Sequence, residues 1–180
     1  MIIGLSGYAR SGKDTIAEIL IMNYGFKRLA FADNIRKAVK VLNPILTGDI
    51  RANDMIDTYG WEVAKSTPEM RRMLQVFGTE VGREMFGEDF WVQQVFRQME
   101  NDETFENFVI TDVRYPNEAD FIRGRGGEIW RVSRSEIRAI NSHSSETALD
   151  GYSFDRHISN DKEIADLSTE IFQIMREKNA

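Results

Sequence analysis

The sequence predicts an α/β fold in three layers, with helices on both faces of a mostly parallel central sheet. Three observations carry this expectation. A short apolar run at residues 2–6 leads into GYARSGKDT, from Gly7 to Thr15, and then into a stretch of helical periodicity. A second apolar run, FVITD, occupies 108–112 without polar alternation and ends in an acid. Strand-like and helix-spaced stretches alternate elsewhere. Strands apolar on both sides and separated by helices indicate a parallel sheet covered on both faces, with right-handed crossovers. Ligands in such sheets lie beyond the carboxyl ends of the strands, where Gly7 and Asp112 both fall.

Each element follows in turn. Residues 13 to about 23 read as a helix with Ile16, Ala17, Ile19 and Leu20 on one side, closed by Tyr24-Gly25. Residues 26–32 read as a second strand and 34–42 as a helix. The stretch 44–57 is polar and is expected to form an irregular surface loop. Pro68 opens a long helix with Thr67 as its cap. Met70, Met73, Leu74, Phe77 and Val81 repeat there at helical spacing. A helix over 90–99, the strand at 108–112, a helix over 118–125 stopped by Gly126-Gly127, and a strand over 128–132 come next. A short strand at 157–159 and a terminal helix over 162–178 complete the pattern.

Bulk properties narrow the function. The chain has 180 residues, 42% of them hydrophobic and 29% charged, suited to one domain with its own core. Without cysteine there is no disulfide framework and no thiolate metal site. His143 and His157 stand apart, which disfavours a His-rich metal site. A net charge of −6 disfavours a binder of polymeric nucleic acid. No basic leader precedes the apolar N-terminus, and no run approaches the roughly 20 apolar residues of a membrane span. The expected location is the cytoplasm.

The stretch from Gly7 to Thr15 nearly matches the phosphate-loop pattern G-x-x-x-x-G-K-[ST]. Asp14 stands where a hydroxyl is expected, and Thr15 follows one place late. A glycine loop between strand and helix aims backbone N–H groups at an anion, and the helix N-terminus adds positive partial charge. Lys13 adds a full charge. Asp14 has two readings: a ligand of Mg²⁺ lying between carboxylate and phosphate, or a carboxylate complementing the helix dipole. Arg10 is placed to pair with Asp14 or with phosphate. Asp112 orients Mg²⁺ in one reading and ends its strand in the other. Arg114, two residues on, points to the same side of an extended backbone.

The stretch RRMLQVFGTEVGR gives a polar stripe of Arg71, Gln75 and Arg83 opposite the apolar face. Arg suits bidentate phosphate contact, and a Gln amide suits a base edge or ribose. A solvated helix face is the alternative. Gly78 and Gly82 cost helix stability, which suggests a close approach by a ligand or another backbone.

Together these motifs resemble the bacteriophage-type deoxynucleoside monophosphate kinases, a branch of the P-loop nucleoside monophosphate kinases. The matching segments are SGKDT, LAFAD with Arg36 after it, RRMLQVFGTEVGR, DFWV, ITDVRYPNE, RVSR, HSSE and ISND. They span nearly the whole chain, and an Asp after the loop lysine is ordinary in this family. The resemblance implies one P-loop kinase domain over 1–180, with a helical acceptor-binding region at about 33–100 and a lid at about 133–150. It implies transfer of the γ-phosphoryl of ATP to a deoxynucleoside 5′-monophosphate, with Mg²⁺.

By position, the resemblance assigns Gly7, Arg10, Ser11, Gly12, Lys13, Asp14, Thr15 and Asn160 to ATP. It assigns Asp33, Arg36, Arg71, Gln75, Arg83, Trp91 and Arg114 to the acceptor. Asp14 and Asp112 fall to the metal, and Lys13, Arg114, Arg131 and Arg134 to the transferring group. Trp91 either stacks on a base or belongs to the core. Arg138, His143 and Glu146 fall in the lid segment; the last two lie in a family-like motif to which no mechanism attaches. The expected partners are small molecules, with no nucleic acid polymer and no membrane; monomer and homodimer stay open. If the chain is phage-encoded, its place is the host cytoplasm. Two rival readings stand: a phosphomevalonate or dephospho-coenzyme A type of kinase, which would share Lys13 and Asp112, and a nucleotide-binding regulatory module without turnover.

Overall fold

Apolar residues at 2–6 form a strand because neighbours on both sides bury them. A computed structural model describes residues 1–137 and 147–178. In chain order its elements are β1 (Ile2–Ser6), α1 (Lys13–Tyr24), β2 (Lys27–Leu29), α2 (Phe31–Leu42), β3 (Ile45–Thr47), β4 (Ile50–Arg51) and α3 (Ala52–Ala64). They continue with α4 (Pro68–Gln75), a π-helical segment (Val76–Met85), α5 (Phe90–Glu100), β5 (Phe108–Ile110), α6 (Pro116–Arg123), β6 (Glu128–Ser133), β7 (Arg156–Ser159) and α7 (Ile164–Lys178). The chain divides into two compact units, Met1–Ala30 with Met99–Ala180, and Phe31–Gln98. No helix among the described residues is long and apolar enough to cross a membrane.

The first unit holds a parallel sheet in the order β2-β5-β1-β6-β7. Ile3 stands level with Val109 on one side and Glu128 on the other. Ile3 and Leu5 point to one face, where they join Ile16 and Leu20 of α1 and Leu167 and Ile171 of α7. Full burial of each such side chain contributes about 1.5–3 kcal/mol. Gly4 faces the other way. A Cβ there would lie 2.8 Å from Ile122 of α6, so the missing side chain lets that helix sit close. Helices therefore cover both faces, as the sequence predicts.

Beyond the sheet, α6 is tied to the segment before β7. Tyr152 Oη donates to Asp120 Oδ1 (2.6 Å), and Arg123 donates to Asp155 and to the Ser153 carbonyl. Burial, and then the bond to Asp120, push the Tyr152 hydroxyl up to about 12. A raised folded-state pKa stabilises fully below the unfolded value, near pH 10, and that contribution is lost as pH climbs toward 12. Urea midpoints of Tyr152→Phe and the parent chain should therefore differ at pH 9 and converge by about pH 12. A constant difference across that range would refute this titration.

The second unit departs from two expectations. The apolar stretch after Phe26 gives only the short β2, and α2 begins at Phe31, so Asp33 lies in its first turn. A short apolar run does not distinguish a buried strand from a buried helix start. The supposed loop at 44–57 is instead the hairpin β3–β4, turning at Gly48 (φ +53), followed by α3. Ala52, Ile56 and Ala64 bury one side of α3 against Val39 and Met70. The long helix after Pro68 begins as predicted, with Thr67 accepting from the Met70 N–H. Its winding then changes from α to π at Val76.

Candidate active site

The loop between β1 and α1 is built on backbone that side chains resist. Gly7 has φ +147, Arg10 φ +67 and Gly12 φ +105. A Cβ on Gly7 would lie 2.2 Å from the Val132 carbonyl oxygen, so the loop leaves β1 hard against β6. Lys13 Nζ reaches back to donate to the Gly7 and Tyr8 carbonyls, each at 2.8 Å. The ammonium is thereby held over the loop it would serve. Ser11 is 1% exposed, and its Oγ has no hydrogen-bond partner among the described residues. A buried hydroxyl without a partner costs about 1–3 kcal/mol, which an arriving phosphate oxygen or water would offset.

Asn160 has a task that sequence alone did not announce. It follows β7, and its amide donates to the Ser11 carbonyl at 3.0 Å while its N–H donates to the Ser133 carbonyl at 2.8 Å. It braces the loop from beneath, and Gly12 leaves room for it: a Cβ there would lie 2.1 Å from the amide nitrogen. The adenine contact implied for Asn160 thus competes with a loop contact already made.

Asp112 follows β5, the immediate neighbour of β1, and the Val113 N–H donates to the Leu5 carbonyl at 3.1 Å. This brings Asp112 to the same end of the sheet as the loop. The chain then turns on Glu118, which is 5% exposed and accepts from the N–H groups of Arg114 (2.7 Å) and Tyr115 (3.0 Å). Sequence reading missed Glu118. Its signal was an acid three residues after Tyr115, without the Ser or Thr that usually opens a capping box.

Asp14 lies exposed in the first turn of α1. Among the described residues no three His, Cys, Asp or Glu side chains gather as a metal cluster. Asp14, Thr15 and Asp112 are all oxygen donors. Such a sparse set fits Mg²⁺, which takes one or two carboxylates and fills its shell with water and phosphate oxygens.

Arg131, from β6, lies with its guanidinium beside the loop, where Nη1 approaches Ser6 Oγ at 3.4 Å. Arg134 is exposed just past β6. Nearby, Asp161 accepts from the Ser159 hydroxyl and the Ser135 N–H, which with Arg134 hold its carboxyl below the usual range. Tyr8, Ser11, Arg131, Arg134 and Asp161 line a groove of about 380 Å³. Arg138, His143 and Glu146 lie outside the described residues.

In the second unit Asp33 and Arg36 form an ion pair at 3.2 Å, and Arg36 also lies 5.7 Å from the ring centre of Trp61. Arg71 and Gln75 are exposed on α4, while Arg83 is half-buried on the π-helical segment. Arg71 and Gln75 share an α-helical face, and Arg83 follows on the segment of π pitch. Trp91 is a correction. It is 7% exposed and its Nε1 donates to the Gly78 carbonyl at 2.9 Å. A Cβ on Gly82 would lie 2.0 Å from that same nitrogen. Gly82 admits the indole, while a Cβ on Gly78 would lie 3.2 Å from Ile35, so this ring is core rather than a platform for a base, and the close approach each glycine allows is by a side chain.

The pattern of one protein family, deoxynucleotide monophosphate kinase, matches residues 47–171. The chain belongs to that family. A relative from Acanthamoeba polyphaga mimivirus that carries the family's name is 33% identical over 190 residues, spanning 95% of this kinase and 94% of the relative. The deoxynucleotide monophosphate kinase of Escherichia phage RB69 is 30% identical over 113 residues, 61% of this chain and 46% of that protein. Among solved structures, shikimate kinase from Aquifex aeolicus superposes with a TM-score of 0.53 at 14% identity, over 99% of this chain and 98% of that one. Dephospho-CoA kinase from Campylobacter jejuni gives 0.51 at 17% identity, over 98% and 96%. These likenesses establish the P-loop kinase fold. The sequence relatives, not the dephospho-CoA likeness, decide the family.

In this kinase the two readings of Asp14 make different predictions. As a metal ligand, Asp14 repels ATP when Mg²⁺ is absent, so Asp14→Asn should bring metal-free ATP affinity toward the metal-bound value. Two nearby anions at an effective dielectric near 20 repel by on the order of a few kcal/mol before screening. As a helix-dipole carboxylate it contributes roughly 0.3–1 kcal/mol of stability. The substitution would then leave the affinity ratio alone. Calorimetric titration of ATP with Mg²⁺ and with chelator separates the two, and an unchanged ratio would exclude the metal role.

Proposed function

We propose that this kinase transfers the γ-phosphoryl group of ATP to the 5′-phosphate of a deoxynucleoside monophosphate, producing the diphosphate and ADP. The observation that carries the reading is the loop at the end of β1. Its lysine is held over its own carbonyls and its buried Ser11 hydroxyl has no partner among the described residues, in a chain of this family. The regulatory-module alternative offers no reason for several arginines in both units.

Little covalent chemistry is required. Phosphoryl transfer rests on alignment and on stabilising charge at the equatorial oxygens. Backbone N–H groups from Gly7 to Lys13 would cradle the ATP phosphates, and Lys13 would exchange its carbonyl partners for the γ-phosphoryl oxygens. Arg114, Arg131 and Arg134 would meet the transferring group. The acceptor phosphate oxygen is already anionic, so no general base is assigned. Asp14, Thr15 and Asp112 would hold Mg²⁺, which supplies charge neutralisation between the phosphates. Asp33, Arg36, Arg71, Gln75 and Arg83, all within Phe31–Gln98, would take the acceptor nucleotide.

Turnover of a panel of nucleoside and deoxynucleoside monophosphates with ATP and Mg²⁺ tests the proposal. Transfer to at least one deoxynucleotide is expected, and nucleotide binding without transfer to any would refute it. Arg71→Lys keeps the charge but loses the bidentate fork. It should raise KM for the monophosphate more than KM for ATP. A selective rise in the ATP KM would place Arg71 at the donor.

A further inference from the structure

Arg131 is closely held at the carboxyl ends of the strands. Its guanidinium lies between two rings, 4.9 Å from the centre of Tyr8 and 5.4 Å from that of Phe154. Its Nη2 donates to Asp150 Oδ1 at 3.2 Å. The Tyr8 hydroxyl donates to the same carboxylate, 3.1 and 3.2 Å from its two oxygens. Tyr8 comes from the phosphate loop, Arg131 from β6 and Asp150 from the segment preceding β7, and together they close a triangle. The Arg131 side chain is only 15% exposed.

We propose that Asp150 and Tyr8 are positioning residues that fix the plane of the Arg131 guanidinium beside the phosphate loop. The inference rests on the reading of Arg131 as an arginine that meets the transferring phosphoryl group. An unrestrained arginine has many rotamers, and holding one of them before substrate arrives removes that ordering from the reaction. The contacts to Ser6 and Asp150 use fewer N–H groups than a guanidinium carries, so donors remain for phosphate oxygens. Asp150 is 44% exposed, where an ion pair adds little to stability, so its main effect is on geometry. Tyr8 links the restraint to the loop itself, so the arginine and the phosphate cradle are held in one frame.

The test measures kcat and both KM values for Asp150→Ala, Tyr8→Phe, Arg131→Ala and the Asp150→Ala/Arg131→Ala double variant. The acceptor is whichever monophosphate the panel shows to be turned over. Asp150→Ala should lower kcat by about tenfold with both KM values within about twofold, the signature of lost alignment rather than lost binding. Tyr8→Phe should lower kcat in the same direction by a smaller factor. With Arg131 already absent, Asp150→Ala should add nothing. An unchanged kcat in Asp150→Ala, or the same fall in the Arg131→Ala background, overturns the inference. A normal kcat in Arg131→Ala overturns the underlying reading of Arg131 instead, and the inference with it. Tyr8→Phe removes a single hydroxyl and reads the same coupling if Asp150→Ala does not fold.

Discussion

Replacing Lys13 by alanine should lower kcat by at least ~100-fold while the protein stays folded. One preorganised electrostatic contact at the developing charge is worth about 3–4 kcal/mol, which sets that factor. The fold should survive because the hydrogen bonds to the carbonyls of Gly7 and Tyr8 are local to the loop. As hydrogen bonds from a charged group, each contributes about 1.5–3 kcal/mol net. Steady-state turnover and a thermal melt on the same preparation check both halves. A folded variant with near-normal kcat would remove the loop from the reaction.

Gly7→Ala should weaken ATP binding by about 10- to 100-fold and lower stability by about 1–3 kcal/mol. Two effects combine. The backbone there has φ +147, and the new Cβ would lie 2.2 Å from the Val132 carbonyl oxygen. A backbone carbonyl has no rotamer to escape into, so either the loop or the end of β6 must move, and Arg131 sits next to Val132. Gly25 supplies the control. It also has positive φ, at +66, but nothing among the described residues lies within 4 Å of a Cβ there. Gly25→Ala should show the cost of backbone conformation alone and leave ATP affinity intact. Equal ATP affinity in the Gly7 variant and the parent would refute the argument from close packing.

The sequence made β1 and β5 legible as short apolar runs, and β6 legible through Ile129, Trp130 and Val132 after the Gly126-Gly127 stop. The loop at Gly7–Thr15 was legible because its residue types and spacing are required by its chemistry. Helix α3 was not, because its buried positions, Ala52, Ile56 and Ala64, are spread among polar residues and include two small side chains. The π-helical winding left almost no trace. Met70, Met73, Leu74, Phe77 and Val81 suit an α-helix equally well, and only Gly82 marked the place where the Trp91 indole enters. Partners distant along the chain were out of reach altogether. Tyr8 and Asp150 are 142 residues apart, and no local pattern announces such a contact.

The position of β5 has a consequence for how the chain is made. β1 and β2 leave the ribosome before β5, yet they do not pair with each other, since β5 lies between them. Among the described residues β2 pairs only with residues 108–110, and β1 only with β5 and β6. Residues 1–30 of the nascent chain therefore lack their sheet partner β5 until translation has passed residue 110. By then all of Phe31–Gln98 has been synthesised and can begin to collapse. Residues 31–98 can thus collapse ahead of residues 1–30, against the usual N-to-C order. Through that interval the apolar β1 is an unpaired strand, the stage at which a nascent chain most readily aggregates or engages a chaperone.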